Sequence, residues 1–227
     1  GSAVLGLVNV GPEAALPVIE GKAVLFKELA NVDAVPIVLG TQDPEEIVST
    51  IKALTPSFAG INLEDIKSPE CFAIEEALIR ELDIPVMHDD QHGTAIVVLA
   101  ALINAHKVVE KDLHRSRIAI LGPGAAGTGV AKLLLEYGVG DIVFVDQGGI
   151  LSDLRLDLDE HKASLVGISN REGRVGGVRE AVAGADVVLG LSVGGALEQD
   201  HIRIMAQRPI VFAMANPTPE IMPDLAR

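Results

Sequence analysis

The sequence of 227 residues has very little aromatic character and a single cysteine. It contains no Trp, and Phe and Tyr together make up only 3% of the residues. A hydrophobic core must therefore be built from Val, Ile, Leu and Ala, which is typical of buried parallel strands covered by helices. With Cys71 as the only thiol, no disulfide can form within the chain, and this fits a reducing compartment. We therefore expect a cytoplasmic protein.

Basic residues and long apolar runs are also scarce. The chain has 18 Lys and Arg against 32 Asp and Glu, a net charge of −14. Such a surface repels nucleic acid and anionic lipid. The most apolar stretch, residues 95–103, is shorter than the roughly 20 residues of a membrane span, and no export signal precedes it. We expect a small-molecule substrate and neither nucleic acid nor membrane as a partner.

Predicted strands and helices alternate along the whole chain. This order is typical of an α/β protein with doubly wound parallel sheets. We predict two such units, a substrate- and metal-binding region over residues 1–88 and a Rossmann-type dinucleotide-binding domain over residues 89–227. The helix over 90–108 is apolar nearly all round, which predicts a buried helix. The predicted strands cover 3–8, 35–39, 59–63, 84–87, 117–121, 141–145, 186–191 and 210–213, and the other main helices 13–29, 44–54, 68–82 and 125–137.

A glycine-rich loop joins the strand and helix predicted at 117–121 and 125–137. Gly122, Gly124 and Gly127 form the pattern G-x-G-x-x-G, whose glycines allow a tight turn, close approach of pyrophosphate and close helix packing. The amides of Ala125 and Ala126 then open the helix, where an anion binds well. The pattern predicts a dinucleotide site, although a glycine-rich turn that binds nothing stays open as an alternative.

The residue that follows the next strand bears on the choice of dinucleotide. Asp146 lies about 20 residues after the glycine-rich loop, where an acid binds the ribose hydroxyls of NAD. Its carboxylate repels the 2′-phosphate of NADP, and Gln147, Gly148 and Gly149 offer no cation to receive one. We therefore expect NAD rather than NADP, unless Arg155 folds back towards Asp146.

Two acidic pairs follow two predicted strands, Glu64-Asp65 in INLEDI and Asp89-Asp90 in PVMHDDQHG. Ligands of α/β sheets bind outside the carboxyl ends of the strands. Carboxylates that converge there need a cation, and an all-oxygen set favours Mg²⁺ or Mn²⁺. Two alternatives stay open at this point. The acids could be helix caps, or the histidines at 88 and 92 could form a zinc site.

Lys22 lies among small and apolar neighbours in PVIEGKAVLFK. A partly buried lysine near carboxylates can serve as a base. The residues alone favour the other interpretation, in which the side chain reaches the surface.

Four segments taken together and in order, GINLEDI, IPVMHDDQHGTAIV, GPGAAG and MANPTPEI, resemble the malic enzymes of bacteria. The resemblance covers essentially the whole chain, and HDDQHGTA is its most specific part. That family oxidises and decarboxylates malate to pyruvate with a nicotinamide cofactor and a divalent metal. By the resemblance, the metal ligands are Glu64, Asp65 and Asp90, the general base is Lys22 with Asp89 beside it, Asn216 lies by nicotinamide and substrate, and Thr94 and Ser192 lie near the cofactor.

The chain also departs from the family's pattern. The tyrosine that acts as the family's acid belongs to a segment before Gly1, and an asparagine-rich stretch that contacts substrate belongs after Arg227. Val8 replaces a family glycine, and some members carry an arginine at the position of Ala3. Gly1-Ser2, by contrast, matches the family. The resemblance therefore implies the central region of a malic enzyme that forms homodimers or larger oligomers, with an inactive binding fragment and a malolactic enzyme as alternatives.

Overall fold

The computed structural model describes residues 1–4 and 9–227. Contacts divide the chain into two compact units, Gly1–Asp90 and Gln91–Arg227. Residues 5–8, with most of the strand predicted at 3–8 and the difference at Val8, lie outside the described residues. The α/β class with parallel sheets is confirmed, and each unit has a hydrophobic core of its own.

Within its described residues, the first unit places two short strands among three helices. Strands β1 and β2 pair in parallel, with Ile61 opposite Val86 and Leu63 opposite His88. Because parallel strands end at the same edge, the two acidic pairs that follow them come to one place. Ile47, Ile51 and Leu78 are among the residues that form the core beneath. The elements are α1 (Gly11–Ala30), α2 (Pro44–Leu54), a 3₁₀ turn (Thr55–Ser57), β1 (Ile61–Leu63), α3 (Glu70–Glu81) and β2 (Val86–His88).

The start of α2 shows a complete cap, and the start of α3 does not. One oxygen of Asp43 accepts from the amides of Glu45 and Glu46 at 2.9 and 3.0 Å, and Pro44 occupies the first turn. This arrangement satisfies amides that have no partner within the helix. At α3, Pro69 is the cap residue, and no side chain accepts from the amides of the first turn.

The strand predicted at residues 35–39 is wrong. Residues 31–39 have no regular structure, and the side chains of Val35 and Ile37 are exposed. The apolar, β-branched residues suit a strand locally, but a strand also needs a neighbour to complete its hydrogen bonds. Among the described residues, no strand pairs with this segment.

Helix α4 (Asp89–Val109) is buried along one side only. Ala95, Val98 and Leu102 lie in the core of the second unit, whereas the side chains of Ile96 and Val97 are 59% and 64% exposed. The prediction of burial all round is therefore wrong, because an apolar sequence does not by itself supply a partner for each face. Judged by length and composition alone, α4 is also the one helix of the described chain that could cross a membrane. Helices in protein cores have the same length and composition, so this finding is weak evidence for a membrane span.

The second unit is a five-stranded sheet with the order β5-β4-β3-β6-β7. Strands β4, β3, β6 and β7 are parallel, and β5 is a short antiparallel edge. The chain leaves β3 to one side for β4 and then returns to the other side for β6, so the strand order reverses between β3 and β6, the position at which open α/β sheets generally bind ligands. The elements are β3 (Arg117–Leu121), α5 (Ala125–Tyr137), β4 (Asp141–Asp146), β5 (Gly149–Ile150), α6 (Glu160–Val166), α7 (Val178–Val182), β6 (Val187–Gly190), α8 (Gln199–Arg203) and β7 (Ile210–Ala213), with a 3₁₀ turn at Leu113–Arg115.

Candidate functional site

Three carboxylates meet at the carboxyl ends of β1 and β2. Oxygens of Glu64, Asp65 and Asp90 lie within 4.8 Å of one another. Glu64 and Asp65 directly follow β1, and Asp90 lies in the first turn of α4, which begins where β2 ends. We call these three residues the carboxylate cluster. The parallel register of the two strands produces it, because both strands stop at the same edge of the sheet.

Asp65 is the most constrained member of the cluster. Its backbone has φ of 55°, in the left-handed region that Asp and Asn tolerate best among residues with a side chain. The amide of Asp65 donates to Oδ2 of Asp90 at 3.1 Å, and Asp65 is only 5% exposed. Its buried Oδ2 has no hydrogen-bond partner among the described residues. A buried oxygen without a donor costs free energy, so this atom is suited to a cation or a proton.

The carboxylate cluster holds negative charge out of water. Burial raises the pKa of Glu64, and the charge of Asp89 raises it further. Burial likewise raises the pKa of Asp65, with a second contribution from Asp90. A divalent cation among these oxygens would offset both effects, and an all-oxygen donor set fits Mg²⁺ or Mn²⁺.

The two histidines of HDDQH lie in different surroundings. His88 is fully buried at the end of β2, and its Nε2 lies 3.2 Å from Oδ2 of Asp90. His92 is exposed on α4. The group of candidate ligands that the structure brings together contains oxygen atoms and neither imidazole, which counts against the zinc alternative.

Lys22 turns its amine towards the acids and not towards solvent. Its Nζ lies 2.8 Å from Oδ2 of Asp89 and 3.2 Å from Oε1 of Glu64, and its side chain is 26% exposed. Burial by itself lowers the pKa of Lys22, but the hydrogen bond to Asp89 and the charge of Glu64 outweigh it and raise the pKa above the ordinary value. The amine therefore holds its proton while Glu64 and Asp89 are both charged.

Two polar residues that sequence analysis did not select support this region. Nδ2 of Asn62, on β1, donates to Oε2 of Glu64, which directly follows the strand, at 3.0 Å. The hydroxyl of Ser2 accepts from the amide of Lys67 at 3.0 Å, while the Ser2 amide donates to the Asp65 carbonyl. The spacing of Asn62 and Glu64 was the available signal, whereas nothing in the sequence indicated the contacts of Ser2.

A cavity of about 720 Å³ opens inside the first unit next to the acids. Lys22, Asn62 and Glu64 line its polar side, and apolar side chains such as Phe26 and Ile37 line the remainder. The cavity thus offers room for a small molecule beside the amine of Lys22.

The glycine-rich loop of the second unit has the geometry of a phosphate-binding turn. Gly122 has φ of +104°, and a Cβ there would collide with the carbonyl of Leu191. A Cβ at Gly127 would collide with the carbonyl of Gly122, whereas a Cβ at Gly124 would meet no atom. Gly124 caps α5 without a side-chain hydrogen bond, so no cap side chain occupies the place where the first-turn amides of a helix can bind an anion.

Asp146, at the end of β4, is held by two cations. Its carboxylate accepts from Arg155 Nη1 at 2.6 Å, from Lys162 Nζ at 2.8 Å and from the amide of Gly148 at 2.8 Å. Burial would raise the pKa of Asp146, but the hydrogen bonds from Arg155 and Lys162 outweigh it and lower the pKa. Gln147, Gly148 and Gly149 supply no cation, but the exception named for Arg155 in the sequence analysis is met. Arg155 folds back, and Lys162, sixteen residues along the chain, joins it from α6.

The other predicted cofactor residues lie on separate elements of the second unit. Ser192 follows β6 and is half-buried, while Asn216 follows β7 and is exposed. Thr94 is half-buried on α4. Helix α4 packs closely against α5, because a Cβ at Gly129 of α5 would collide with the backbone of Gln91. Ser192 and the residue before Asn216 share one hydrogen-bond acceptor, Glu220, which sequence analysis did not select.

The single cysteine is buried, and the single tyrosine packs against another ring. Burial raises the pKa of the Cys71 thiol to about 12, so this thiol is a packing group and not a nucleophile. The ring of Tyr137 stacks on His114, with ring centres 5.1 Å apart.

Family models match both units. Residues 1–79 match the model described as malic enzyme, N-terminal domain, and residues 91–223 match the model described as malic enzyme, NAD binding domain. The two models together cover most of the chain.

Individual relatives show the same similarity. The chain is 52% identical over its whole length to the bifunctional malic/malolactic enzyme of Bacillus subtilis, and it covers 56% of that protein. It is 45% identical to the NADP-dependent malic enzyme of Halomonas elongata and covers 53% of it. The crystal structure of the NAD-dependent malic enzyme of Thermotoga maritima matches all of the chain with a TM-score of 0.97 and 49% identity, over 61% of that structure. The chain thus spans about half the length of the curated relatives it matches.

Proposed function

The chain belongs to the malic enzyme family, and we propose that it carries out the oxidative decarboxylation of malate. Malate and NAD(P)⁺ yield pyruvate, CO₂ and NAD(P)H in this reaction. The observation that carries the proposal is the placement of Lys22 beside the carboxylate cluster, at 2.8 Å from Asp89 and 3.2 Å from Glu64. Because the chain spans about half the length of its relatives, the activity of the whole protein is part of the proposal.

The carboxylate cluster is the proposed binding site for Mg²⁺ or Mn²⁺. Glu64, Asp65 and Asp90 would hold the ion, and the buried Oδ2 of Asp65, which has no donor among the described residues, supports this assignment. When bound, such an ion supplies Lewis-acid chemistry towards the oxygen atoms of a hydroxy or keto acid.

Lys22 is the proposed general base. With its own proton released, the neutral Nζ would take the proton of the malate 2-hydroxyl while a hydride leaves C2 for the nicotinamide ring. Asp89 keeps the amine in place through its 2.8 Å hydrogen bond. The bond from C3 to the departing carboxylate then breaks, CO₂ leaves, and C3 takes up a proton. The resemblance assigns that last proton to a tyrosine in a segment that comes before Gly1 in the family.

NAD is the proposed preferred cofactor, with NADP accepted less well. Asp146 lies where an acid binds ribose hydroxyls, and its carboxylate opposes a 2′-phosphate. Arg155 and Lys162 reduce this repulsion, but Arg155 is shared with Asp157 at 2.5 Å. The negative charges of Asp146 and Asp157 cancel the positive charges of Arg155 and Lys162, so the site offers no net attraction to the 2′-phosphate. Relatives named as NAD-dependent and as NADP-dependent both match the chain.

A homodimer or larger homo-oligomer in the cytoplasm is the proposed state of the protein. Several apolar side chains of α1, among them Val24, Leu25 and Leu29, are more than half exposed, and Leu29 reaches 82%. Exposed apolar groups on one helix are typical of an interaction surface. The single buried thiol supports the cytoplasmic location.

A malolactic reaction is the second candidate function. It is favoured by the name of the Bacillus subtilis relative, a bifunctional malic/malolactic enzyme that is 52% identical to the chain. Lactate and CO₂ would then form from malate, and the reduced cofactor would be used again within the cycle.

One assay tests these proposals. The protein is incubated with malate, NAD⁺ and Mn²⁺, and both NADH and the organic acid products are measured. We expect pyruvate and NADH in equal amounts, loss of both with EDTA, and recovery with excess Mn²⁺. Lactate without NADH would establish the malolactic reaction instead. Dinucleotide binding without any turnover would contradict catalysis and leave a protein that only binds its ligands.

A further inference from the structure

Glu220 is a fully buried carboxylate in the second unit, with 0% exposure. One of its oxygens, Oε1, accepts from the amide of Ser192 at 2.8 Å and from the hydroxyl of Ser192 at 3.2 Å. The other oxygen, Oε2, accepts from the amide of Ala215 at 3.0 Å. Each oxygen therefore binds a different loop, the first the loop after β6 and the second the loop after β7.

The packing around Glu220 leaves little freedom to the carboxylate. A Cβ added to Gly190, the last residue of β6, would collide with the carboxyl group of Glu220. The backbone carbonyl of Glu220 also accepts from the amide of Leu197 at 2.9 Å, and the carbonyl of Pro219 accepts from Gly195 at 3.1 Å. The segment that contains Glu220 is thus joined to the loop after β6 at several points.

The two loops lie on a definite side of the proposed dinucleotide site. Asp146 marks the ribose side at the end of β4, and the glycine-rich loop follows the neighbouring β3. Strands β6 and β7 lie on the opposite side of β3. A dinucleotide that crosses the end of β3 from β4 therefore brings its nicotinamide half to the ends of β6 and β7.

We infer that Glu220 is a positioning residue for the nicotinamide half of the cofactor, acting through Ser192 and through Ala215, the neighbour of Asn216. The inference rests on the proposed function. A carboxylate is required because it has two acceptor oxygens and no donor. An amide of the same shape would turn an N–H towards one of the two loops and leave that loop's backbone amide without an acceptor.

The decisive variant is Glu220→Gln, compared with Glu136→Gln, which changes an exposed carboxylate on α5. Binding of NADH is followed by nicotinamide fluorescence, and binding of 5′-AMP, which represents the adenosine half, is measured by calorimetry. In Glu220→Gln we expect NADH affinity to fall about tenfold, equal to about 1.4 kcal/mol. Affinity for 5′-AMP should not change, and Glu136→Gln should match the unmodified protein in both assays.

Two results would overturn the inference. Equal losses for NADH and 5′-AMP would show that Glu220 only supports the fold, and unchanged NADH affinity would show that the two loops do not need it. Should Glu220→Gln not yield folded protein, Gly190→Ala provides a second variant, because the added Cβ displaces the same carboxylate. The same selective loss of NADH affinity is expected from it.

Amide hydrogen exchange separates this inference from the proposed function. The amides of Ser192 and Ala215 both donate to Glu220, so exchange should become faster at one or both of them in Glu220→Gln, while the amides of α5 keep their rates. If the unmodified protein bound neither ligand, the proposed function would fail. The exchange rates would still show whether Glu220 holds the two loops in place. Unchanged rates at Ser192 and Ala215 would overturn the inference.

Discussion

The chemistry of Lys22 depends on the charges of its two neighbours. Its amine lies between Asp89 and Glu64, and their negative charges hold its proton in place despite partial burial. A cation bound to Glu64 would take up part of that negative charge and make the proton easier to lose. The proposed base and the proposed metal site are therefore coupled through one carboxylate, that of Glu64.

Lys22→Ala should lower the rate of malate oxidation by at least about 10²-fold, the usual effect of removing a general base. NADH binding should stay intact, because the glycine-rich loop belongs to the other unit. The matched control is Lys27→Ala, which removes a half-exposed lysine of the same helix that pairs with Asp33. Steady-state rates and a fluorescence titration check both points. Full activity in Lys22→Ala would exclude it as the base.

Lys162→Ala should widen the preference for NAD over NADP. The change removes one of the two cations that offset Asp146, so a 2′-phosphate meets more repulsion, while a ribose hydroxyl is little affected. Because a partly exposed charge contributes at most about 1 kcal/mol, we expect the ratio of kcat/KM values to change about fivefold or less. Asp146→Ser should narrow the same ratio, and Lys107→Ala, on α4, serves as a control. An unchanged ratio in the first two variants would place cofactor selectivity elsewhere.

At the scale of elements, the carboxylate of Asp186 connects the amino-terminal ends of β3 and β6 in the sheet of the second unit. Asp186, just before β6, accepts from Lys111 Nζ at 2.8 Å and from the amide of Arg117, the first residue of β3, at 3.0 Å. Burial raises the pKa of Asp186, but the hydrogen bonds from Lys111 and Arg117 outweigh it and lower the pKa below 3.8. The ionised form is therefore favoured by folding.

Asp186→Asn should lower the free energy of unfolding at pH 7 by roughly 1–3 kcal/mol, the effect of losing hydrogen bonds to a charged group. A lowered pKa in the folded state means that this contribution is present above the unfolded value of 3.8 and is lost as the pH falls below it. Urea denaturation at pH 7 and pH 3 should thus show a difference that shrinks in acid. Asp153→Asn, at an exposed position, is the control. A difference that persisted unchanged at pH 3 would contradict this account.

Local sequence patterns predict some of the helices and strands correctly but not others. The cap at Asp43 and the positions of α5, β3 and β7 follow from local sequence, because each depends on residues a few positions apart. The segment over residues 31–39 does not, since a strand exists only with a partner. The exposed side of α4 is a second example of a feature that an apolar pattern leaves undecided.

At the scale of the whole molecule, the two units divide the proposed chemistry between them. The carboxylate cluster and Lys22 belong to Gly1–Asp90, and the glycine-rich loop, Asp146 and Glu220 belong to Gln91–Arg227. Metal binding can therefore be measured on the first unit within the intact chain, independently of the dinucleotide.

Mn²⁺ should raise the unfolding temperature of the intact chain. An ion that binds only the folded state stabilises it by about 2.7 kcal/mol at a concentration 100 times its Kd. Asp65→Asn should abolish most of this gain, and Asn is chosen because it tolerates the left-handed backbone at this position. Glu45→Gln, on the exposed side of α2, should respond to Mn²⁺ as the unmodified chain does. An equal gain in Asp65→Asn would place the ion at another site.

The sequence by itself determined the α/β class, the glycine-rich turn and the acidic pairs at two strand ends, because each rests on neighbours in the chain or on the alternation of apolar segments. The family followed from four motifs in order, and the family models agree with it. Only the tertiary structure decided what the charged groups contact. It turned Lys22 inward, folded Arg155 and Lys162 onto Asp146, and buried Glu220 between two loops. These contacts join residues that are 9 to 67 positions apart, or two loops from different strands. Local patterns cannot specify such pairs, because their formation depends on packing and burial in the complete fold.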